Sequence, residues 1–231
     1  MVSLRRPHYA WIICLGGALS LFAVMGMGIN VFSVYQPYII QLNGFSNAQG
    51  SWITTVRSLF ALLSMLTVDR LCRRLGLRNT MVLGMACFVG SYLLFGFARG
   101  FSAYCGGAVL SGLAYGYGGM IPLTLVISRW FPTGRGFALG MAAAGSGIST
   151  IFAPPLITGA IQALGLSAAF LWEAAAGVLL TLLVLLLVWD SPDCPELQRA
   201  GDSAPGGRGE GLSRPLLGMV LLSAFLTGGP C

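Results

Sequence analysis

Apolar positions along this 231-residue chain fall into long blocks, separated by short joints rich in glycine, proline or arginine. The blocks run over about 9–35, 47–68, 79–98, 104–128, 137–158 and 168–189. Each reaches or approaches the ~18 consecutive apolar residues that mark a transmembrane helix. They predict six spans. The first is expected to end near Gln36 and Pro37, and the fifth carries Pro154 and Pro155 near its end. Ser46 with Gln49 predicts a capping box at the start of the second. A Pro- and Gly-rich charged stretch comes next, over 190–214, and reads as a linker. A further apolar run over 215–231 reads as the truncated start of a seventh helix. The domain expectation is thus a six-helix bundle over 1–189, a linker over 190–214 and the beginning of helix seven over 215–231.

Composition agrees with an all-α membrane protein: 56% of residues are hydrophobic and 9% charged, where a soluble domain carries about 25% charged residues. The net charge of +6 does not point to nucleic acid. All 13 basic residues are arginines, and most sit between apolar blocks. Eleven of them occupy the N-terminal tail, the joints after spans two and four, and the linker, whereas Arg99 alone occupies the alternate joints. By the positive-inside rule the N-terminus, both basic joints and the linker are expected in the cytoplasm, in an integral protein of the cell membrane. One histidine, no CxxC pair and no carboxylate cluster argue against a metal site, and nothing suggests a cofactor. No nucleophile–base pair or phosphate loop points to an enzyme.

Arg57 breaks the pattern. It lies ten residues into the second block, which at 1.5 Å per residue is about 15 Å deep in a core ~30 Å thick. An arginine at that depth costs about 2.5–3.5 kcal/mol on insertion scales. It therefore needs a water-filled cavity, a partner or an anion. One reading makes it an anion ligand, its planar fork taking a carboxylate bidentately. The other makes it an ion pair, with Glu173 as the conceivable partner, or a side chain snorkelling to the outer interface. Asn30, Tyr35, Trp52, Tyr115 and Tyr117 are further polar or aromatic candidates in or near spans one, two and four. Gly112 with Gly116 and Ala143 with Gly147 are small-xxx-small pairs suited to close helix packing.

Three segments resemble the major facilitator superfamily. "DRLCRRLGLRNTMVLG" after span two is similar to the family's loop motif G-x-L-x-D-R-x-G-x-R, with Asp69, Arg70, Arg73, Arg74, Gly76 and Arg78 as its elements. The fit is imperfect in either register. "SRWFPTGRGFALGMAAAGSG" resembles the WFP-x-x-R-G-x-A-x-G pattern of the oxalate/formate antiporter and monocarboxylate transporter branches, carried here by Arg129, Arg135, Gly136 and Gly140. The opening "RPHYAWIICLGGALSLFAVMGMG" resembles the start of oxalate/formate-type members. The resemblance implies the N-terminal half of a major facilitator fold. It implies alternating access around a midplane site, lined by helices one and four. It further implies transport of a small organic anion by proton symport or anion exchange, with lipid, the anion, the proton and a missing C-terminal half or a second copy as partners. It makes Asp69 and the neighbouring arginines candidates for ion pairs between helices that break on rocking. Gly136 and Gly140 are expected to permit close packing where span five begins. The alternatives are a nitrate/nitrite-type transporter and a non-transporting truncated membrane protein.

Overall fold

The computed structural model describes residues 7–131 and 134–187. The expected linker over 190–214 and the seventh helix over 215–231 lie outside them. Within them, six helices are long and apolar enough to cross a bilayer. Backbone groups in hydrocarbon have no water to bond, so a helix, which pairs them internally, is the form such blocks take. The first span is composite: α1 (Pro7–Leu21), a π-helical segment (Phe22–Asn30) and α2 (Phe32–Asn43). The second and third are α3 (Asn47–Leu75) and α4 (Leu77–Phe97). The fourth is α5 (Phe101–Gly118) continued by α6 (Met120–Trp130). The fifth and sixth are α7 (Arg135–Leu164) and α8 (Leu166–Leu187). The first, third and fourth spans are the most enclosed, and the second, fifth and sixth present most of their surface outward.

The number of spans matches the apolar blocks, but several boundaries move. Pro37 does not end the first span: α2 continues to Asn43 and closes on Gly44, whose φ of 65° supplies the left-handed cap. Proline removes one N–H from the ladder, a loss that packed membrane helices absorb. Pro154 and Pro155 likewise lie inside α7, with the Thr158 hydroxyl donating to the Pro154 carbonyl at 2.9 Å. The arginine-rich joint after span two is helical up to Leu75 and turns at the single residue Gly76 (φ 83°, ψ 160°). The capping box is formed: the Gln49 N–H donates to the Ser46 hydroxyl at 3.2 Å, and the Ser46 N–H to the Gln49 side chain at 2.9 Å.

Close approach of backbones sets the packing. A Cβ on Gly84 of α4 would fall 2.6 Å from the Gly118 Cα of α5. On α5, a Cβ at Gly112 would strike the Arg57 carbonyl and fall 2.9 Å from the Ala61 nitrogen; one at Gly116 would overlap Ser64. The Gly112–Gly116 pair is thus the seam between spans two and four, reinforced by the Ser64 hydroxyl donating to the Gly112 carbonyl at 3.1 Å. Span four bends at Gly119, where α5 gives way to α6. Pro122 has no N–H for the Gly118 carbonyl one turn back. The buried Ser20 hydroxyl of α1 donates to that carbonyl instead, at 3.0 Å.

The two most distinctive motifs meet at one end of the bundle. Trp11 of α1 lies edge-on to Phe131, with centroids 5.4 Å apart, and to Phe137, 6.2 Å away. The opening segment and the Trp-Phe-Pro turn therefore form one aromatic contact. Gly134 (φ 77°) reverses the chain there, and the Arg135 Nε donates to the Phe131 carbonyl at 3.0 Å.

Candidate functional site

Span one changes hydrogen-bond register twice, into and out of the π-helical segment. π segments widen the helix and leave carbonyls less fully paired where the register shifts. The Tyr92 hydroxyl of α4 donates to two of them, Met27 at 3.1 Å and Gly28 at 3.2 Å. Gly26 and Gly28 allow this wide backbone to lie against its neighbours. A Cβ at Gly26 would overlap Ser149 of α7, and one at Gly28 would fall 3.3 Å from the Phe88 ring.

Beyond the π segment, a set of rings fills the interior. Phe32 packs on Phe95 (5.6 Å between centroids), Phe95 on Phe170 (5.4 Å), and Phe170 stacks on Tyr35 (4.1 Å). Two ionisable groups flank this set. Arg57 is 9% exposed, and its guanidinium carbon sits 4.6 Å over the Phe32 ring centre. Such a contact contributes about 0.5–2 kcal/mol, depending on desolvation. Among the described residues Arg57 forms no ion pair with a carboxylate. The Tyr92 and Tyr115 side chains lie within its electrostatic reach.

Glu173 is the second ionisable group, and it is not the partner of Arg57. It is fully buried on α8, and its Oε2 accepts a hydrogen bond from the Tyr35 hydroxyl at 2.7 Å. Its Oε1 has no hydrogen-bond partner among the described residues.

The other sequence-derived candidates are dispersed. Tyr35 goes to Glu173 and not to an open face. Asn30 is exposed and donates to the Thr150 hydroxyl of α7 at 2.6 Å. Trp52 is 61% exposed. Five residues of helix place it about 140° around α3 from Arg57. Tyr115 is half-buried, and Tyr117 shares a 3.0 Å hydrogen bond with Thr67, one helix face away. Two positions with a direct relation to the ionisable groups, Phe32 and Tyr92, were not singled out in the sequence. Their signal is the recurrence of aromatics at Phe88, Tyr92 and Phe95, which has a helical spacing that reads equally well as core.

The motif residues at the arginine-rich end differ from expectation in two ways. Asp69 pairs with Arg73 one turn along the same helix, both side chains well exposed, so the pair does not bridge two helices. Arg70 and Arg74 are exposed, and Arg78 of α4 donates to the Leu185 carbonyl of α8 at 2.9 Å. Gly136 and Gly140 do not face a packed neighbour: a Cβ on either would meet nothing within 4 Å, and the same holds for Gly147. These three share one face of α7, since steps of four and eleven residues return to within about 40°. Arg129 lies on the last turn of α6, its side chain outside the described residues. No group of three or more metal-ligating side chains occurs among the described residues.

A family model described as Major Facilitator Superfamily matches residues 18–230 of the chain. The chain is 28% identical over 148 residues to the MFS-type transporter pynF of Aspergillus niger, covering 62% of the chain and 33% of that relative. It is 28% identical over 189 residues to MFS-type transporter 1 of an Ophiocordyceps species, covering 77% of the chain and 39% of the relative. It is 26% identical over 201 residues to the MFS-type transporter hasB of Aspergillus fumigatus, covering 84% and 43%. The chain thus spans between a third and somewhat under half of the length of these relatives.

Proposed function

The chain belongs to the Major Facilitator Superfamily, whose members are transporters, and on that premise we propose that it serves the transport of a small organic anion, a mono- or dicarboxylate. Arg57 is the group that meets the anion. The observation that carries this reading is the guanidinium itself. It lies ten residues into the 29-residue α3, nearly buried, resting on the face of Phe32 and lacking a carboxylate partner among the described residues. A guanidinium desolvated to that degree without a counter-charge is stabilised when an anion arrives. Its fork matches a carboxylate.

Transport proceeds by alternating access, driven by proton symport or by exchange against a second anion. The arginine-rich end is the cytoplasmic one. The open glycine face of α7, at Gly136, Gly140 and Gly147, suits a second six-helix half, because smooth surfaces let backbones approach and slide.

The test is uptake of labelled formate, oxalate and lactate into liposomes by the protein that carries this chain, with R57Q and R57K beside it. R57Q is expected to raise KM for the transported anion at least tenfold, and R57K to recover part of the loss. An R57Q protein that inserts normally and keeps wild-type KM and rate sinks the reading.

A further inference from the structure

Glu173 is a carboxyl for which the anion reading has no use. It sits seven residues into α8, about 10 Å along the helix from its start. It has no solvent exposure. The surrounding surface is ring and small-residue carbon: Phe170 and Ala174 on its own helix, with Tyr35 and Tyr92 across from it. Among the described residues the Tyr35 hydroxyl donates to Oε2, and the Tyr92 hydroxyl lies beside the carboxyl with its own proton directed to the Met27 and Gly28 carbonyls, so Oε1 has no donor. An ionised carboxylate held by one donor in such a place is far costlier than the neutral acid. A cation held there in place of a proton needs several oxygen ligands at about 2.3–2.6 Å. The Met27 and Gly28 carbonyls are engaged by Tyr92, and no cluster of ligating side chains exists among the described residues. A proton needs neither ligands nor a cavity.

We propose that Glu173 is a proton-binding site of this half-bundle, carrying its proton on Oε1 while Tyr35 holds Oε2, and releasing it when span one shifts. The device for the shift is the π-helical segment. Tyr35 stands on α2 immediately beyond it, so a return of Phe22–Asn30 to α-helical register rotates and translates Tyr35 relative to α8. That motion breaks the 2.7 Å bond and opens the carboxyl to water. It also carries Phe32, three residues before Tyr35, off the Arg57 guanidinium. One movement therefore alters both the proton site and the anion site.

The titratable and charged groups around Glu173 are few. Tyr35 faces it from α2 and Tyr92 from α4. Arg57 of α3 rests on Phe32, and Tyr92 lies within the electrostatic reach of both Arg57 and Glu173. Arg78 of α4 is near Leu185, twelve residues further along α8, and Arg135 is at the distant end of α7. Cys14 of α1 is tied to the Ala138 carbonyl at 3.3 Å, and Cys87 of α4 is a half-buried thiol.

The functional consequence rests on the transport reading; the protonation does not, so two readouts are used on the protein that carries this chain. In liposomes with labelled lactate, formate or oxalate, E173Q is expected to retain exchange at equal pH and to lose accumulation driven by a proton gradient. Wild-type accumulation by E173Q overturns the proposal. By infrared spectroscopy, the wild-type-minus-E173Q difference at neutral pH is expected to contain the carbonyl stretch of a protonated carboxylic acid, displaced in Y35F. Absence of that band overturns the proposal whatever the transport result. A band present in a protein that moves none of the three anions supports the proton site and overturns the carboxylate reading instead.

Discussion

The α-hydrogen face of Gly112 on α5 lies directly against the backbone carbonyl of Arg57 on α3, with no room for a methyl group between them. The charged residue is thus held by its backbone as well as by Phe32. Gly112→Ala places a Cβ against rigid backbone and should destabilise the bundle by about 1–3 kcal/mol, the usual range for overpacking. Thermal unfolding in detergent measures it. Gly159→Ala, on another exposed face of α7 where a Cβ meets nothing within 4 Å, is the control and should leave the midpoint unchanged. Equal midpoints for both variants would refute the close approach.

Tyr35→Phe keeps the ring stacked on Phe170 and removes the donor to Glu173. Leaving a buried acceptor unmet costs about 1–3 kcal/mol. The loss should disappear in an E173L background, which has no acceptor for the Tyr35 hydroxyl, so a double-mutant cycle by denaturant or thermal unfolding should give a non-zero coupling. Simple additivity of the two variants would count against the bond.

Gly76 and Gly134 both have positive φ, but of different kinds. Gly134 (φ 77°, ψ 20°) is in the left-handed region that asparagine tolerates, whereas Gly76 (φ 83°, ψ 160°) is in a region open essentially to glycine alone. Gly134→Asn should therefore insert and melt like the wild type. Gly76→Asn should lose about 1–3 kcal/mol. Expression level and melting temperature, compared side by side, distinguish the two.

Ser46→Ala removes one half of the capping box at the start of α3 and should cost about 1 kcal/mol. Asp69→Asn, at the other end of the same helix, breaks an exposed pair one turn apart and should change stability by less than ~0.5 kcal/mol. Measured together, they rank the two ends of α3. A larger loss at Asp69 than at Ser46 would mean that the carboxylate has a further structural duty.

Local chemistry is the part of this fold that the sequence discloses. Ser46 and Gln49 announce a helix start because both bonds of the box lie within four residues. Apolar block length gives the six spans because bilayer thickness sets it. Pro37 misleads because the rule that proline ends helices is learned in water, where a broken ladder exposes carbonyls to a competing solvent; in a packed apolar bundle the α-helix remains the best arrangement available. That Arg57 lies inside the second span is legible from residue counting. That it rests on Phe32, and that Glu173 goes to Tyr35, is not, since both depend on how far the π-helical segment rotates α2. Trp52 looks like a neighbour of Arg57 in a linear reading, and the 3.6-residue turn carries it to another face.

The bond from Ser20 to the Gly118 carbonyl has a mechanical meaning. Span four is two stiff rods joined at Gly119, and the acceptor left bare by Pro122 at that joint is held by a hydroxyl on a different helix. The angle between the rods is therefore latched from outside. The bond thus ties the joint of span four to the backbone position of span one.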